Sequence, residues 1–205
     1  SEVRWVWETG EELLLRHISG LDAYDDFHGS EFPFMGYNEL TKQPTAEMYD
    51  KFMSLNRSSF TPRRDTPKNS KGEYLTHDKK PLPEIPLKIF STCNPSGAGR
   101  NWVKRRFIDC CPVGTLHTKE IKVYDPKKQK EVNVPITQIA IFGSFKENIY
   151  LPAEYIAQLM EDTKNNPHLY KAWIEGSWEG TSGGIVDDIW KNEIHIIKRF
   201  KIPSN

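Results

Sequence analysis

The 205-residue sequence lacks several features that would assign it directly to a broad class. Its three cysteines, with Cys110 and Cys111 adjacent, provide neither a disulfide framework nor the C-x-x-C spacing of a zinc site. No apolar run approaches the roughly 20 residues that a membrane-spanning helix needs. The six histidines form no i, i+4 pair and have no carboxylate at metal-ligand spacing. These absences argue against a disulfide-stapled, a zinc-binding and a membrane-spanning protein.

An excess of charge of one sign is also missing, because 28 Lys and Arg residues balance 28 Asp and Glu residues. Only local clusters of charge can therefore suit a polyanionic partner. The phosphate-binding motif G-x-x-x-x-G-K-[ST] does not occur, although residues 95–100 are rich in small residues. The chain does contain many core-forming side chains, with six Trp, eight Tyr and ten Phe, which excludes a disordered protein.

Strand-like and helix-like patterns alternate along the chain, which favours an α/β fold with a mainly parallel sheet. Continuous apolar runs predict buried central strands at 32–37, 87–92 and 136–142. Alternating patterns on either side of a turn predict two hairpins, one from 3–7 and 11–18 and one from 120–124 and 131–134. Helices are predicted over 46–55 with Thr45 as the N-cap, from Pro152 to about 164, and from Pro167 to about 176. Residues 57–86 contain five prolines and little periodicity, which predicts a long surface loop.

Polar residues follow two of the predicted central strands. Asn38 and Glu39 come directly after the first strand, in the position where NTP-hydrolysing motors place a Mg²⁺-associated acid and a carboxylate that polarises water. Thr92 and Asn94 follow the second strand and can sense a phosphate by hydrogen bonding. Each stretch taken alone is better explained by a strand that leaves the sheet through a polar turn.

A basic segment, residues 100–107, combines four cationic side chains with two aromatic ones and has no acid before Asp109. Such a combination suits a phosphate backbone or a nucleotide. A solvated amphipathic helix with Trp102, Val103 and Phe107 in the core accounts for the same pattern. Both interpretations remain open from these residues alone.

The order of these motifs resembles the large subunit of tailed-phage terminases, the ATP-driven DNA-packaging motors. The resemblance covers most of residues 20–200. The stretches that carry it are 29–40, 91–97, 102–108, 148–151 and 172–178, together with Tyr155 and Leu159.

The resemblance implies a P-loop NTPase-like but incomplete fold, with flanking helices and a small helical linker subdomain. Residues 1–145 would be the C-terminal part of the ATPase domain, 146–180 the linker, and 181–205 the start of a connection to a nuclease domain. It implies a fragment, with the phosphate loop upstream of residue 1 and the nuclease carboxylates beyond residue 205, so that this chain alone is expected to be inactive.

The resemblance also assigns roles to residues. Glu39 would be the catalytic carboxylate of the Walker B strand, with Asn38 in the place of the usual Mg²⁺-associated Asp and able to reach the metal only through water. Thr92 and Asn94 would belong to the nucleotide site and report hydrolysis. Candidates for contact with DNA or with a neighbouring subunit's nucleotide are Arg57, Arg100, Lys104, Arg105 and Arg106.

The implied ligands and partners are ATP, Mg²⁺, double-stranded DNA, the terminase small subunit, the portal protein and further copies in a homo-oligomeric ring. The implied location is the cytoplasm of the infected bacterial host, with no membrane partner. Two alternatives remain open from the sequence: a non-catalytic module that binds nucleic acid or protein, and a helicase-type translocase with the same ATPase core.

Overall fold

The computed structural model describes residues 2–18 and 20–179. These residues form a mixed α/β protein built from small sheets and short helices. The chain divides into two compact units, the first of which ends at Cys93 and the second of which begins at Asn94. The predicted connection at 181–205 lies outside the described residues.

Six strands occur in the described residues, and they pair as three two-stranded sheets. The strands are β1 (Glu2–Val6), β2 (Glu12–Arg16), β3 (Phe34–Tyr37), β4 (Lys88–Ser91), β5 (His117–Asp125) and β6 (Lys130–Gln138). β1–β2 and β5–β6 are antiparallel hairpins, and both were predicted from the sequence. β3 and β4 are parallel, so a parallel arrangement holds for this one pair rather than for most of the sheet structure described.

The helices are short. The α-helices are α1 (Glu47–Met53), α2 (Pro62–Asp65), α3 (Arg100–Val103), α4 (Ala153–Thr163) and α5 (Pro167–Trp173). Segments of 3₁₀ helix cover Leu21–Phe27, Leu40–Lys42 and Phe145–Glu147, and a π-helical turn covers Lys104–Ile108. No helix within 2–18 and 20–179 has the length and the apolar character needed to cross a bilayer.

The core of the first unit forms where α1 covers one face of the β3–β4 sheet. Met48, Phe52 and Leu55 have helical spacing, and they cluster with Met35 from β3 and with Phe27. The Phe27 and Phe52 rings meet edge to face with centroids 5.6 Å apart, a favoured geometry for aromatic pairs. Burial of each such side chain stabilises the unit by about 1.5–3 kcal/mol before entropy is counted.

The start of β3 is held by a residue that the sequence analysis did not single out. The Asn56 side-chain amide donates hydrogen bonds to the carbonyl oxygens of Phe32 at 2.9 Å and Pro33 at 3.0 Å. The backbone N–H of Lys88 donates to the same Pro33 carbonyl at 2.8 Å. The end of the α1 region and the start of β4 therefore both fix where β3 begins.

The predicted N-cap of α1 is wrong. Ala46 occupies the N-cap position instead of Thr45, and no side chain caps this helix. The predicted surface loop at 57–86 is confirmed as largely irregular, with α2 and one isolated bridge between Lys68 and Tyr74. It folds around Thr66, whose buried hydroxyl donates to the Pro62 carbonyl and accepts from the Leu82 N–H.

The predicted third central strand at 136–142 is also wrong. The last residue of β6 is Gln138, paired with His117, the first residue of β5. The chain beyond Gln138 leaves the sheet, and Ile141 is 80 % exposed. Phe142 instead approaches the backbone at Gly176, where its ring leaves no room for a side chain. Regular strand pairing ends at this pair although the apolar pattern continues, and beyond it the Gly114 N–H donates to the Ala140 carbonyl at 2.7 Å.

Candidate functional site

The carboxyl ends of β3 and β4 lie side by side in the first unit. The strands pair in parallel, with Phe34 opposite Lys88 and Tyr37 opposite Ser91. Parallel strands deliver their carboxyl ends to one edge of a sheet, which is where open α/β sheets bind ligands. The residues that follow the two strands, Asn38 and Glu39 after β3 and Thr92 after β4, therefore meet at this edge.

Thr92 joins the two strand ends through four hydrogen bonds. Its hydroxyl donates to the Asn38 side-chain oxygen at 2.9 Å and accepts the backbone N–H of Glu39 at 3.3 Å. Its backbone N–H donates to the Tyr37 carbonyl at 2.9 Å, and its carbonyl accepts the Leu40 N–H at 2.9 Å. The Asn38, Glu39 and Thr92 cluster is thus one hydrogen-bonded unit.

Glu39 has an unusual backbone conformation. Its φ of 58° and ψ of 52° lie in the left-handed region, which costs most L-residues about 1–2 kcal/mol. Such strain is concentrated at functional sites. The carboxylate is half-buried, and it makes no hydrogen bond or ion pair with any residue of 2–18 or 20–179. A charged acceptor held at a strand end in this way is suited to orienting a water molecule.

The pKa values of two neighbouring side chains are shifted at this edge of the sheet. Burial raises the pKa of the Cys93 thiol, and the negative charge of Glu39 raises it further, which indicates that the carboxylate lies within electrostatic range of Cys93. Burial also raises the pKa of Tyr37 well above its usual range, with a smaller effect from Tyr49. The two tyrosine rings have centroids 5.2 Å apart, and the buried Tyr37 hydroxyl has no hydrogen-bond partner among the described residues.

Two of the predicted residues take no part in the hydrogen bonds of Thr92. Asn94 is the first residue of the second unit, and its carbonyl accepts the Ser96 N–H at 2.7 Å. Arg57 is held within the first unit, where its guanidinium donates to the Gly29 carbonyl at 3.2 Å and lies 3.7 Å from the Glu31 carboxylate. Half of the Arg57 side chain remains exposed.

The basic segment at 100–107 divides into residues that face inward and residues that face solvent. Arg100 is buried, and its guanidinium donates to the Trp178 carbonyl. Lys104 forms ion pairs with Asp109 at 3.5 Å and with Glu179 at 3.2 Å. Trp102 and Val103 are buried, as the amphipathic-helix interpretation predicted, whereas Phe107, which it also placed in the core, is half-buried. These contacts give Arg100 and Lys104 structural roles within the second unit.

Arg105 and Arg106 follow in the π-helical turn. Arg105 is exposed, whereas Arg106 is half-buried and its guanidinium lies 5.7 Å from the centre of the Phe107 ring. The turn is marked by the hydrogen bond from the Asp109 N–H to the Lys104 carbonyl, five residues back. π-helical turns of this kind occur frequently at functional sites.

The donor atoms at the strand ends limit how a metal ion can bind. Asn38 provides a neutral amide oxygen that already accepts the Thr92 hydroxyl, and Glu39 provides the one carboxylate of the cluster. Within the described ranges, no three His, Cys, Asp or Glu side chains group in a way that suits a metal ion. Mg²⁺ commonly keeps several waters and binds through one or two carboxylates plus substrate phosphates, and this donor set fits that mode.

Fold and site together define a mixed α/β protein that presents a hydrogen-bonded polar cluster at the carboxyl ends of two parallel strands. Residues 73–177, which are 105 of the 205 residues, match the family model described as phage terminase large subunit. The chain belongs to the phage terminase large subunit family. The matched range contains Thr92, Asn94 and the basic segment, and it begins after Asn38 and Glu39.

The family match confirms the resemblance seen in the sequence and assigns the chain to the DNA-packaging system of a bacteriophage, whose partners are DNA and the packaging complex. No curated protein and no solved structure matches the chain.

Sequence reasoning missed a second group of polar residues in the second unit. Cys110, His117, Lys119 and Gln138 line a cavity together with Arg106. The predicted hairpin and the predicted basic segment were the available signals, but nothing in the sequence indicated that they pack against each other.

Proposed function

We propose that this chain contributes the catalytic edge of the ATPase in a DNA-packaging motor, and that the motor couples ATP hydrolysis to movement of double-stranded DNA into the capsid. The observation that carries the proposal is the hydrogen-bonded cluster at the ends of two adjacent parallel strands, with the strained Glu39 within it. Open α/β sheets bind nucleotides at this edge. The fold proposed for the first unit is an incomplete P-loop NTPase.

Glu39 is the proposed catalytic carboxylate. It accepts a hydrogen bond from water and orients the oxygen for attack on the γ-phosphate. Thr92 holds the backbone N–H of Glu39, so a shift at the end of β4 moves the carboxylate with it. Thr92, with Asn94 two residues later, is the proposed reporter of γ-phosphate loss.

ATP with Mg²⁺ is the proposed ligand. When bound, the metal neutralises the developing charge on the phosphates. Asn38 would hold the metal through a water molecule, because its amide oxygen carries no net charge and already accepts the Thr92 hydroxyl. The rest of the phosphate-binding wall is proposed to come from a phosphate loop in the complete large subunit.

The wider assembly is proposed on the same basis. Residues 1–145 belong to the ATPase domain, 146–180 to a helical linker and 181–205 to the connection with a nuclease domain. The complete protein works in the host cytoplasm as a homo-oligomeric ring with the small subunit and the portal protein. Arg57 and Arg105 are exposed enough to reach DNA or a neighbouring nucleotide.

The test is DNA-stimulated ATP hydrolysis by the complete large subunit that contains this chain. Glu39→Gln should lower the turnover rate by about 100-fold to 10,000-fold, the range for a lost catalytic base, and leave ATP binding unchanged. Glu47→Gln is the matched control, because Glu47 is an exposed carboxylate on α1 whose ion pair within the described residues is with Lys51. If the turnover rate of Glu39→Gln stays within twofold of the parent rate, Glu39 is not the catalytic carboxylate of the motor. If DNA binding is retained in that case, a non-catalytic binding module is favoured.

A further inference from the structure

The second unit contains a cavity of about 230 Å³ between the π-helical turn and the base of the β5–β6 hairpin. The residues that line it are Arg106, Cys110, His117, Lys119, Ile121, Ile136 and Gln138. The hairpin register brings these residues together, since His117 lies opposite Gln138 and Lys119 lies opposite Ile136. One face of the hairpin therefore forms one wall, and the turn after α3 forms the other.

Gln138 fixes the two walls in place. Its side-chain amide donates to the Arg106 carbonyl at 3.0 Å and to the Cys110 sulfur at 3.0 Å. These bonds join the last residue of β6 to the π-helical turn, so the position of Arg106 relative to the hairpin is set by direct contacts. The hydrogen bonds of Gln138 therefore hold the two walls of the cavity together within this unit.

The charge at the cavity is of one sign. Three of the seven lining residues, Arg106, His117 and Lys119, are basic, and none is a carboxylate. The side chains of His117 and Lys119 make no hydrogen bond or ion pair with any residue in the described ranges. By contrast, Lys122 on the opposite face of β5 is paired with Glu131. His117 and Lys119 are thus available to an anion.

Two of the other lining residues are apolar. Ile121 and Ile136 are 37 % and 53 % exposed, and they form a strip beside the cationic group. A phosphate flanked by a sugar matches this arrangement, because the phosphate oxygens suit the cations and the carbon face of the sugar suits the isoleucines. At about 230 Å³ the cavity is smaller than typical pockets for drug-sized ligands, and it is of a size for one sugar–phosphate unit.

We propose that this cavity binds one phosphodiester of the DNA backbone, with Arg106, His117 and Lys119 as the phosphate ligands and Ile121 and Ile136 against the adjoining sugar. Backbone contacts of this kind give affinity without sequence preference, which suits a protein that moves along DNA. DNA is also the partner of the proposed motor, on which this assignment rests, but binding at the cavity does not depend on ATP hydrolysis.

The experiment measures binding of the 205-residue chain to a labelled DNA duplex without nucleotide. Lys119→Gln should weaken binding by about fivefold to tenfold at low salt and lower the slope of log affinity against log salt by about one. Lys122→Gln is the matched control, because it removes the same charge from the opposite face of the same strand, and it should change affinity less than twofold. Equal effects of the two substitutions, or no effect of Lys119→Gln, would overturn the proposal.

Cys110 provides a second readout that does not rely on a substitution in the cavity. In a Cys93→Ser, Cys111→Ser background, alkylation of Cys110 should slow at least threefold when the duplex is bound. Millimolar inorganic phosphate distinguishes the source of the anion. If phosphate protects Cys110 from alkylation and DNA does not, the phosphodiester assignment is rejected. It is also rejected if the DNA binds but the alkylation rate of Cys110 stays unchanged. Because neither readout uses ATP, failure here and failure of the Glu39 test remain separate results.

Discussion

Substitution of Glu39 by glycine separates the structural cost of this residue from its proposed chemistry. The left-handed backbone at Glu39 costs about 1–2 kcal/mol for an L-residue and nothing for glycine. The Glu39 carboxylate has no hydrogen bond or ion pair within 2–18 and 20–179, so its removal breaks no such contact there. We therefore expect Glu39→Gly to stabilise the chain while it abolishes hydrolysis in the complete large subunit.

The expected change in the free energy of unfolding for Glu39→Gly is the difference between two opposing contributions. Relief of the left-handed conformation contributes about 1–2 kcal/mol, and the greater freedom of glycine in the unfolded chain costs about 0.5–1 kcal/mol. The net gain in the free energy of unfolding is about 0.5–1 kcal/mol. In a chain of this length, that gain raises the melting temperature by about 1–4 °C.

The measurement is urea unfolding of the 205-residue chain followed by circular dichroism, with Glu39→Ala as the control. Alanine also removes the carboxylate but keeps the left-handed strain, so it should be less stable than glycine here by about 1 kcal/mol. Hydrogen exchange at the Leu40 and Thr92 amides, which bond across the strand ends, localises the effect. A glycine variant no more stable than the alanine variant would refute the strain argument.

Two further substitutions test the same edge of the sheet. Asn38→Asp keeps the acceptor oxygen for Thr92 and adds a negative charge at an exposed position. The Mg²⁺ concentration for half-maximal ATP hydrolysis should therefore fall about fivefold, which corresponds to about 1 kcal/mol. If Asn38→Asp and Asn38→Ala both need the same Mg²⁺ concentration as the parent, the proposed metal role of Asn38 is contradicted. Tyr37→Phe should stabilise the chain by about 1 kcal/mol in urea unfolding at pH 7, because it removes a buried hydroxyl that has no partner among the described residues. Burial raises the pKa of Tyr37 in the folded protein above its value in the unfolded chain. The resulting contribution to the free energy of unfolding is complete below about pH 10 and is lost as the pH rises towards the folded pKa. The parent protein should therefore lose this contribution between about pH 10 and 11, and Tyr37→Phe should not.

The parts of the structure that the sequence predicted are those with a local signature. The β5–β6 hairpin is marked by alternation on both sides of a turn at Asp125, whose carboxylate accepts the N–H groups of Lys127 and Lys128. β3 and β4 are marked by apolar runs that end in polar residues. Parallel pairing then follows from the general behaviour of such strands.

The parts that the sequence did not predict depend on partners distant in the chain. An apolar run such as 136–142 indicates that the segment is buried or paired, but it does not indicate which other segment is the partner. Here the partner strand ends at His117. The cavity is a similar case. Arg106 and Lys119 belong to different elements, and they meet because Gln138 bonds to the backbone of the π-helical turn, a contact for which no sequence pattern exists.

The hydrogen bonds of Thr92 also explain how an amide at position 38 fits the proposed ATP site. The Thr92 hydroxyl needs an acceptor at position 38, and an amide oxygen provides it as well as a carboxylate would. Because Asn38 is an amide, Glu39 is the one carboxylate of the cluster. The same hydroxyl accepts the Glu39 N–H, and displacement of Thr92 therefore disturbs the acceptor at Asn38 and the backbone of Glu39 together. A displacement at the end of β4 would therefore move the Asn38 side chain and the Glu39 backbone together, which is the connection that the proposed hydrolysis sensor needs.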